Sequence, residues 1–144
     1  MKTSYGRLIF AFIALVSMLY TPGISMADDK VPFVVQLTRD GENHGHRRAF
    51  LQIDKVLNDL GEENLDIVVV AYEDGIHALL SSNKGTSQLL TKLANKGVVF
   101  KACRISMNAW ELTEDEFPLE VEFVPAGAVE VVRLQMDGYK YWRQ

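Results

Sequence analysis

The chain has 144 residues, 48% of them hydrophobic and 24% charged, with a formal net charge of −4. That is enough apolar sequence for one ordinary core, and the acidic balance argues against nucleic acid or an anionic lipid surface as the partner. One cysteine in the whole chain excludes an internal disulfide.

Met1, Lys2 and Arg7 open the chain as a positively charged segment, followed by an apolar run from Leu8 to Tyr20 and the breaker Thr21-Pro22-Gly23. Ser25-Met26-Ala27 then puts small residues at the two positions a signal peptidase reads. This pattern predicts a cleavable signal peptide over residues 1–27 and a protein that is periplasmic or secreted. The run holds 13 residues, short of the ~20 a spanning helix needs, so no membrane association is expected after cleavage. Cleavage after Ala27 removes Lys2 and Arg7, takes the charge from −4 to −6 and leaves 117 residues, 28–144, for a single domain. In an oxidising compartment the lone Cys103 is buried, paired with another molecule, or kept as a reactive thiol.

The rest of the chain alternates strand-like and helix-like patterns. Val31 to Thr38 is a continuous apolar strand signal, with Pro32 tolerable near its start. Arg39 to His46 reads as a polar loop. Ala49, Phe50, Ile53, Val56, Leu57 and Leu60 recur at helical spacing, and Gly61 lies just past them as a stop. Leu65 to Ala71 is a second buried strand. Tyr72-Glu73-Asp74-Gly75 reads as a loop and Ile76 to Leu80 as a short helix. Thr86 or Ser87 is placed to cap a helix carrying Leu89, Leu90, Leu93 and Ala94, which Gly97 closes. Val98 to Ala102 is a third strand, Ile105 to Leu112 a helix, Glu120 to Val124 a fourth strand, Pro125-Ala126-Gly127 a turn, Ala128 to Met136 a last helix and Tyr139 to Trp142 a final strand. Strands alternating with helices of this length imply a mostly parallel sheet of about five strands, covered on both faces.

Within this order Cys103 falls where the third strand hands over to a helix. In open α/β sheets, the crevice at the carboxyl ends of the strands is where ligands bind. A thiol there has helix N–H groups pointing towards it and Arg104 beside it, and both favour thiolate over thiol. The competing reading is a small buried hydrophobe, because free cysteine is among the most often buried residue types.

Four segments then carry a resemblance: Gly97-Val98-Val99-Phe100-Lys101-Ala102-Cys103, Leu112-Thr113-Glu114-Asp115, Val124-Pro125-Ala126-Gly127 and Leu134-Gln135-Met136-Asp137-Gly138-Tyr139. In that order and spacing the chain resembles the DsrE/DsrF-like family, from the Val34-Val35-Gln36-Leu37-Thr38 strand to Gly138-Tyr139. The resemblance implies a three-layer α/β/α fold, flavodoxin-like in its layering, and a homo-oligomer. It also implies a sulfur-relay role in which a cysteine at the end of this strand carries a persulfide, and that role falls on Cys103 alone. Sulfur donor and acceptor proteins are then the expected partners, and the exchange itself needs no cofactor. Arg104 and Ser106 are the candidate thiolate-stabilising residues, and Glu73, Asp74 and His77 the candidates for the same pocket. Two departures stand out. Ile105-Ser106-Met107 occupies the place where related sequences often carry Asn-Thr-Met or Asn-Thr-Leu, and Glu73-Asp74 replaces a small pair such as Gly-Pro. Two carboxylates near a thiolate raise its pKa and oppose Arg104.

His77 is a candidate general base for the thiol or else a polar surface residue. Glu73-Asp74 is an acid pair or a solvated turn. His44-Gly45-His46 with Glu42 has no identifiable third ligand at metal-site spacing, so no metal is expected. Trp110, Tyr139, Tyr141 and Trp142 are expected at a core edge or a subunit interface. The chain has no CxxC, no serine-nucleophile motif and no phosphate-cradling glycine loop. Two function classes therefore stand side by side. One is a thiol-dependent sulfur carrier, sulfurtransferase-like in its chemistry; the other is a non-catalytic oligomeric binding or structural module with an inert buried cysteine. An intermolecular disulfide is a third, weaker reading.

Overall fold

The β-branched and aromatic runs form five strands: β1 Val31–Leu37, β2 Leu65–Ala71, β3 Val99–Cys103, β4 Val121–Val124 and β5 Lys140–Arg143. They were located in a computed structural model that describes residues 30–144; the predicted signal peptide lies outside the described residues. All five strands pair in parallel, in the order β4-β3-β2-β1-β5. β2 is buried at nearly every position, as a central strand covered on both faces must be, whereas β5 at the edge is mostly exposed.

The connections contain α1 Gly45–Leu60, a 3-10 segment Glu73–Leu79, α2 Ser87–Asn95, α3 Arg104–Ala109 and α4 Gly127–Met136. From β1 to β4 the chain steps across the sheet in one direction, so its right-handed crossovers fall on one face. From β4 it returns past three strands to β5, and the same handedness puts α4 on the opposite face. The two resulting cores confirm this three-layer arrangement. Phe50, Ile53 and Leu57 of α1, Leu90 and Leu93 of α2 and Met107 of α3 pack with Val35, Val69 and Phe100 on one side; Val131 and Leu134 of α4 pack with Val34, Val68 and Val70 on the other. Among the described residues no helix is long and apolar enough to cross a membrane.

The element boundaries depart from expectation where side chains make contacts that local pattern does not encode. The polar loop at Arg39 to His46 is shorter than expected, because Glu42–His44 forms a 3-10 turn and α1 already begins at Gly45. His46 is buried there, its Nε2 2.9 Å from the Arg39 carbonyl oxygen. Glu73-Asp74-Gly75 is not loop but the first turn of the 3-10 segment. Gly75 allows that turn to press on the end of β1, since a Cβ at Gly75 would lie 2.1 Å from the Leu37 oxygen. Thr86 precedes α2 without capping it; its hydroxyl donates instead to the Ala78 carbonyl at 2.8 Å. α3 stops at Ala109 rather than Leu112, and Glu111 just beyond it has φ +55, a conformation no helix interior accepts. Leu60, expected on the buried stripe of α1, is the last residue of that helix and is 57% exposed.

Candidate functional site

Side chains alternate along β3, so Phe100 and Ala102 point into the large core while Val99, Lys101 and Cys103 face α4. Cys103 ends β3, immediately precedes α3 and pairs with Val124 at the end of β4. Beyond these two residues the chain diverges, into α3 on one face of the sheet and towards α4 on the other. Such a divergence between neighbouring parallel strands opens a crevice at their carboxyl ends. Cys103 lies in it.

Two helix starts converge on the sulfur. The Gly127 N–H, at the first residue of α4, donates to Cys103 Sγ at 3.1 Å. This approach depends on glycine, because a Cβ at Gly127 would fall 2.7 Å from the Tyr72 ring. The opening turn of α3 contributes from the other side through Ile105 and Ser106. Burial pushes the Cys103 thiol up, but the Ser106 backbone, the Gly127 N–H, the Ser106 hydroxyl and the Ile105 backbone together outweigh it and hold the thiol below its ordinary value. Cys103 itself is only 3% exposed. A cleft of about 460 Å³ lies alongside, lined by Glu73, Asp74, Ile105, Ser106, Ala109 and Trp110, so two of the sulfur's donor residues form its wall.

The structure brings the other sequence-predicted residues to this edge with different orientations. Ser106 is buried, and its Oγ accepts the Glu73 N–H at 2.8 Å, tying the turn after β2 to the start of α3. Glu73 has φ +51, a left-handed conformation that costs a non-glycine residue about 1–2 kcal/mol. Asp74 lines the cleft, and its carbonyl lies 3.1 Å from His77 Nδ1. His77 packs edge-on against Trp110, ring centroids 4.7 Å apart, and makes no contact with the thiol. The Arg104 guanidinium is turned to Glu114 and lies 5.3 Å from the Phe123 ring centroid, so the positive charge next to Cys103 in sequence is spent on another partner.

Gly127 and Tyr72 are the residues that sequence reasoning missed. Val124-Pro125-Ala126-Gly127 signals a turn between strand and helix, but nothing local says that its amide meets a sulfur 24 residues earlier. Tyr72 is further held by Gln36, which donates to its hydroxyl and accepts from that of Tyr141. Among the described residues no group of three or more histidine, cysteine or acidic side chains is placed to hold a metal, and His46 is occupied by the Arg39 carbonyl. What the crevice offers chemically is a single thiol whose anion is favoured by amide dipoles at two helix starts.

Residues 32–142 match the DsrE/DsrF-like family. A solved structure of a protein of unknown function from Methanobacterium thermoautotrophicum is 26% identical, covers 78% of this chain and 99% of its own, and superposes with a TM-score of 0.68. The crystal structure of the ychN protein from E. coli shares the fold at 18% identity and a TM-score of 0.62, over 79% of this chain and 99% of its own. No curated protein matches the chain. With the family match reaching from β1 into β5 and taking in the cysteine strand and the crevice at its end, the chain belongs to the DsrE/DsrF-like family.

Proposed function

We propose that this protein is a thiol-dependent sulfur carrier in which Cys103 accepts sulfane sulfur as a persulfide and hands it to a partner protein. The observation that carries the reading is the Gly127 N–H donated to Cys103 Sγ at 3.1 Å, in a crevice where α3 and α4 both begin. In the loading step the Cys103 thiolate attacks the outer sulfur of a donor persulfide; the new S–S bond forms as the old one breaks, and the donor leaves as a thiolate. In the transfer step an acceptor thiolate attacks the outer sulfur of the Cys103 persulfide, and Cys103 leaves as the thiolate. Neither exchange has net oxidation. The amides that stabilise the sulfur anion assist both attack and departure.

The predicted signal peptide places this carrier in the periplasm or outside the cell, where it meets donor and acceptor proteins as a homo-oligomer. Val129, Val132 and Met136 on the outer side of α4, 66%, 55% and 82% exposed, supply apolar surface for such an assembly. The 3% exposure of Cys103 favours a second reading, an oligomeric binding module whose cysteine is packing alone.

Alkylation of native 28–144 by a neutral reagent across pH, with Cys103→Ser as the blank, separates the two. The carrier reacts with a midpoint below the ordinary thiol value, and incubation with a persulfide donor adds the mass of one sulfur atom to Cys103. A thiol that reacts only after unfolding overturns the carrier reading in favour of the module.

A further inference from the structure

Lys101, two residues before Cys103 on the same face of β3, is a cation only 15% exposed at its side chain. Its Nζ lies 2.6 Å from Glu130 Oε1, and the Glu130 side chain, on the first turns of α4, is only 11% exposed. Glu130 also takes two bonds from Arg133, at 2.9 Å from Nε and 2.8 Å from Nη2. The Arg133 partnership, opposed by burial and reinforced by Lys101, pulls the Glu130 carboxyl down to about 2. The other charged groups facing the junction are Glu122, 3.9 Å from Lys101, and Asp137, 2.7 Å from Arg133.

β3 therefore meets α4 at two polar points: Lys101 on Glu130, and Cys103 on Gly127. Two residues apart on the strand, they meet residues three apart on the helix. The apolar contact beneath α4 is small, resting on Val131 and Leu134 against Val34, Val68 and Val70, with Tyr72, Val99 and Tyr139 only partly buried against them. A helix with so little apolar docking takes its register from the directional contacts that remain.

We propose that Lys101 and Glu130 form a positioning pair, which locks the first turns of α4 onto β3 and so keeps the Gly127 N–H on the Cys103 sulfur. The proposal rests on the carrier reading for its use in function, but not for its geometry. In Glu130→Gln its sign distinguishes it from a through-space effect of charge; in Lys101→Met both effects raise the midpoint, and the Gly127 exchange rate distinguishes them. Removing the Glu130 negative charge would by field alone favour the thiolate; loss of register withdraws the Gly127 donor and disfavours it.

The test is Glu130→Gln, with Lys101→Met as the second variant and Lys101→Arg as the conservative rescue, each checked for intact fold by circular dichroism. Two quantities are measured: the alkylation midpoint of Cys103 and the hydrogen-exchange rate of the Gly127 amide. The positioning pair predicts faster Gly127 exchange in both disrupting variants. It also predicts a midpoint raised by about half a unit or more, roughly a threefold loss of thiolate near neutrality, with near wild-type values in Lys101→Arg. An unchanged Gly127 exchange rate, or a lowered midpoint in Glu130→Gln, overturns the proposal. An ordinary midpoint in the wild-type protein instead counts against the carrier, and the exchange measurement still decides the pair.

Discussion

The two faces of the sheet are built on different terms. On the face of α1, α2 and α3, twenty-one buried apolar residues among those described form one continuous core, with Phe50 and Phe100 ring centroids 5.5 Å apart. On the face of α4 only five do, and the space beside them holds the Lys101–Glu130 pair, the Tyr72–Gln36–Tyr141 chain and Cys103. Apolar burial is non-directional and sums with area, so the thick face supplies stability without specifying any one contact. Polar contacts are directional, and the thin face uses them to bring one amide to one sulfur.

Bulk stability and the Gly127 contact with the thiol therefore separate by face. Phe100→Ala should cost the most, about 3–5 kcal/mol by denaturant unfolding, because the residue is wholly buried in the large core. Leu134→Ala should cost nearer 2 kcal/mol, the low end for a core leucine, yet raise the Cys103 midpoint more than any folded thick-face variant outside α3, whose Ile105 and Ser106 also reach the sulfur. The reverse ranking of the two midpoints would break the comparison. Gly127→Ala tests it at the contact itself. Its Cβ must push on the Tyr72 ring, costing about 1–3 kcal/mol, and the alkylation midpoint should rise as the amide leaves the sulfur.

Acid sharpens the comparison, because each face carries a depressed carboxylate. Lys92, then Lys96, hold Asp54 below the usual carboxylate range on the thick face, and Arg133 and Lys101 hold Glu130 at about 2 on the thin one. A carboxyl whose folded pKa is depressed contributes stability above its unfolded pKa and loses it as pH falls through the folded one. Melting temperature should therefore drop from about pH 4.5 towards pH 2. Asp54→Asn and Glu130→Gln should each flatten that slope, and only the second should move the thiol. The smallest effect is alkaline. Tyr139, whose hydroxyl donates to Asp66 at 2.6 Å, is pushed up to about 12, so its contribution is complete below pH 10 and is lost as pH rises through 12. Tyr139→Phe should remove that alkaline loss and cost about 1–2 kcal/mol at neutral pH.

Much of the architecture was legible because it is local. β2 occupies Leu65–Ala71 as its apolar run, interrupted only by Asp66, predicts, and the apolar stripe of α1 is buried at Ala49, Phe50, Ile53 and Leu57. Gly61 and Gly97, expected as helix stops, have φ +90 and +89. The position of Cys103 at the handover from strand to helix was readable for the same reason. Side-chain direction was not. Arg104 adjoins Cys103 in sequence but reaches Glu114, His77 reaches Trp110, and Thr86 spends its hydroxyl on Ala78. In each case the side chain's partner lies eight or more residues away in sequence.

The sequence alone determined the alternation of elements and the place of the only cysteine, because hydrophobic period and glycine stops act over a few residues. Ile105 and Ser106 reach the sulfur from the turn that follows it, but tertiary structure alone decided that Gly127 does. The strand order and the right-handed return from β4 to β5 carry α4 to the opposite face of the sheet, and only there can an amide 24 residues away reach Cys103.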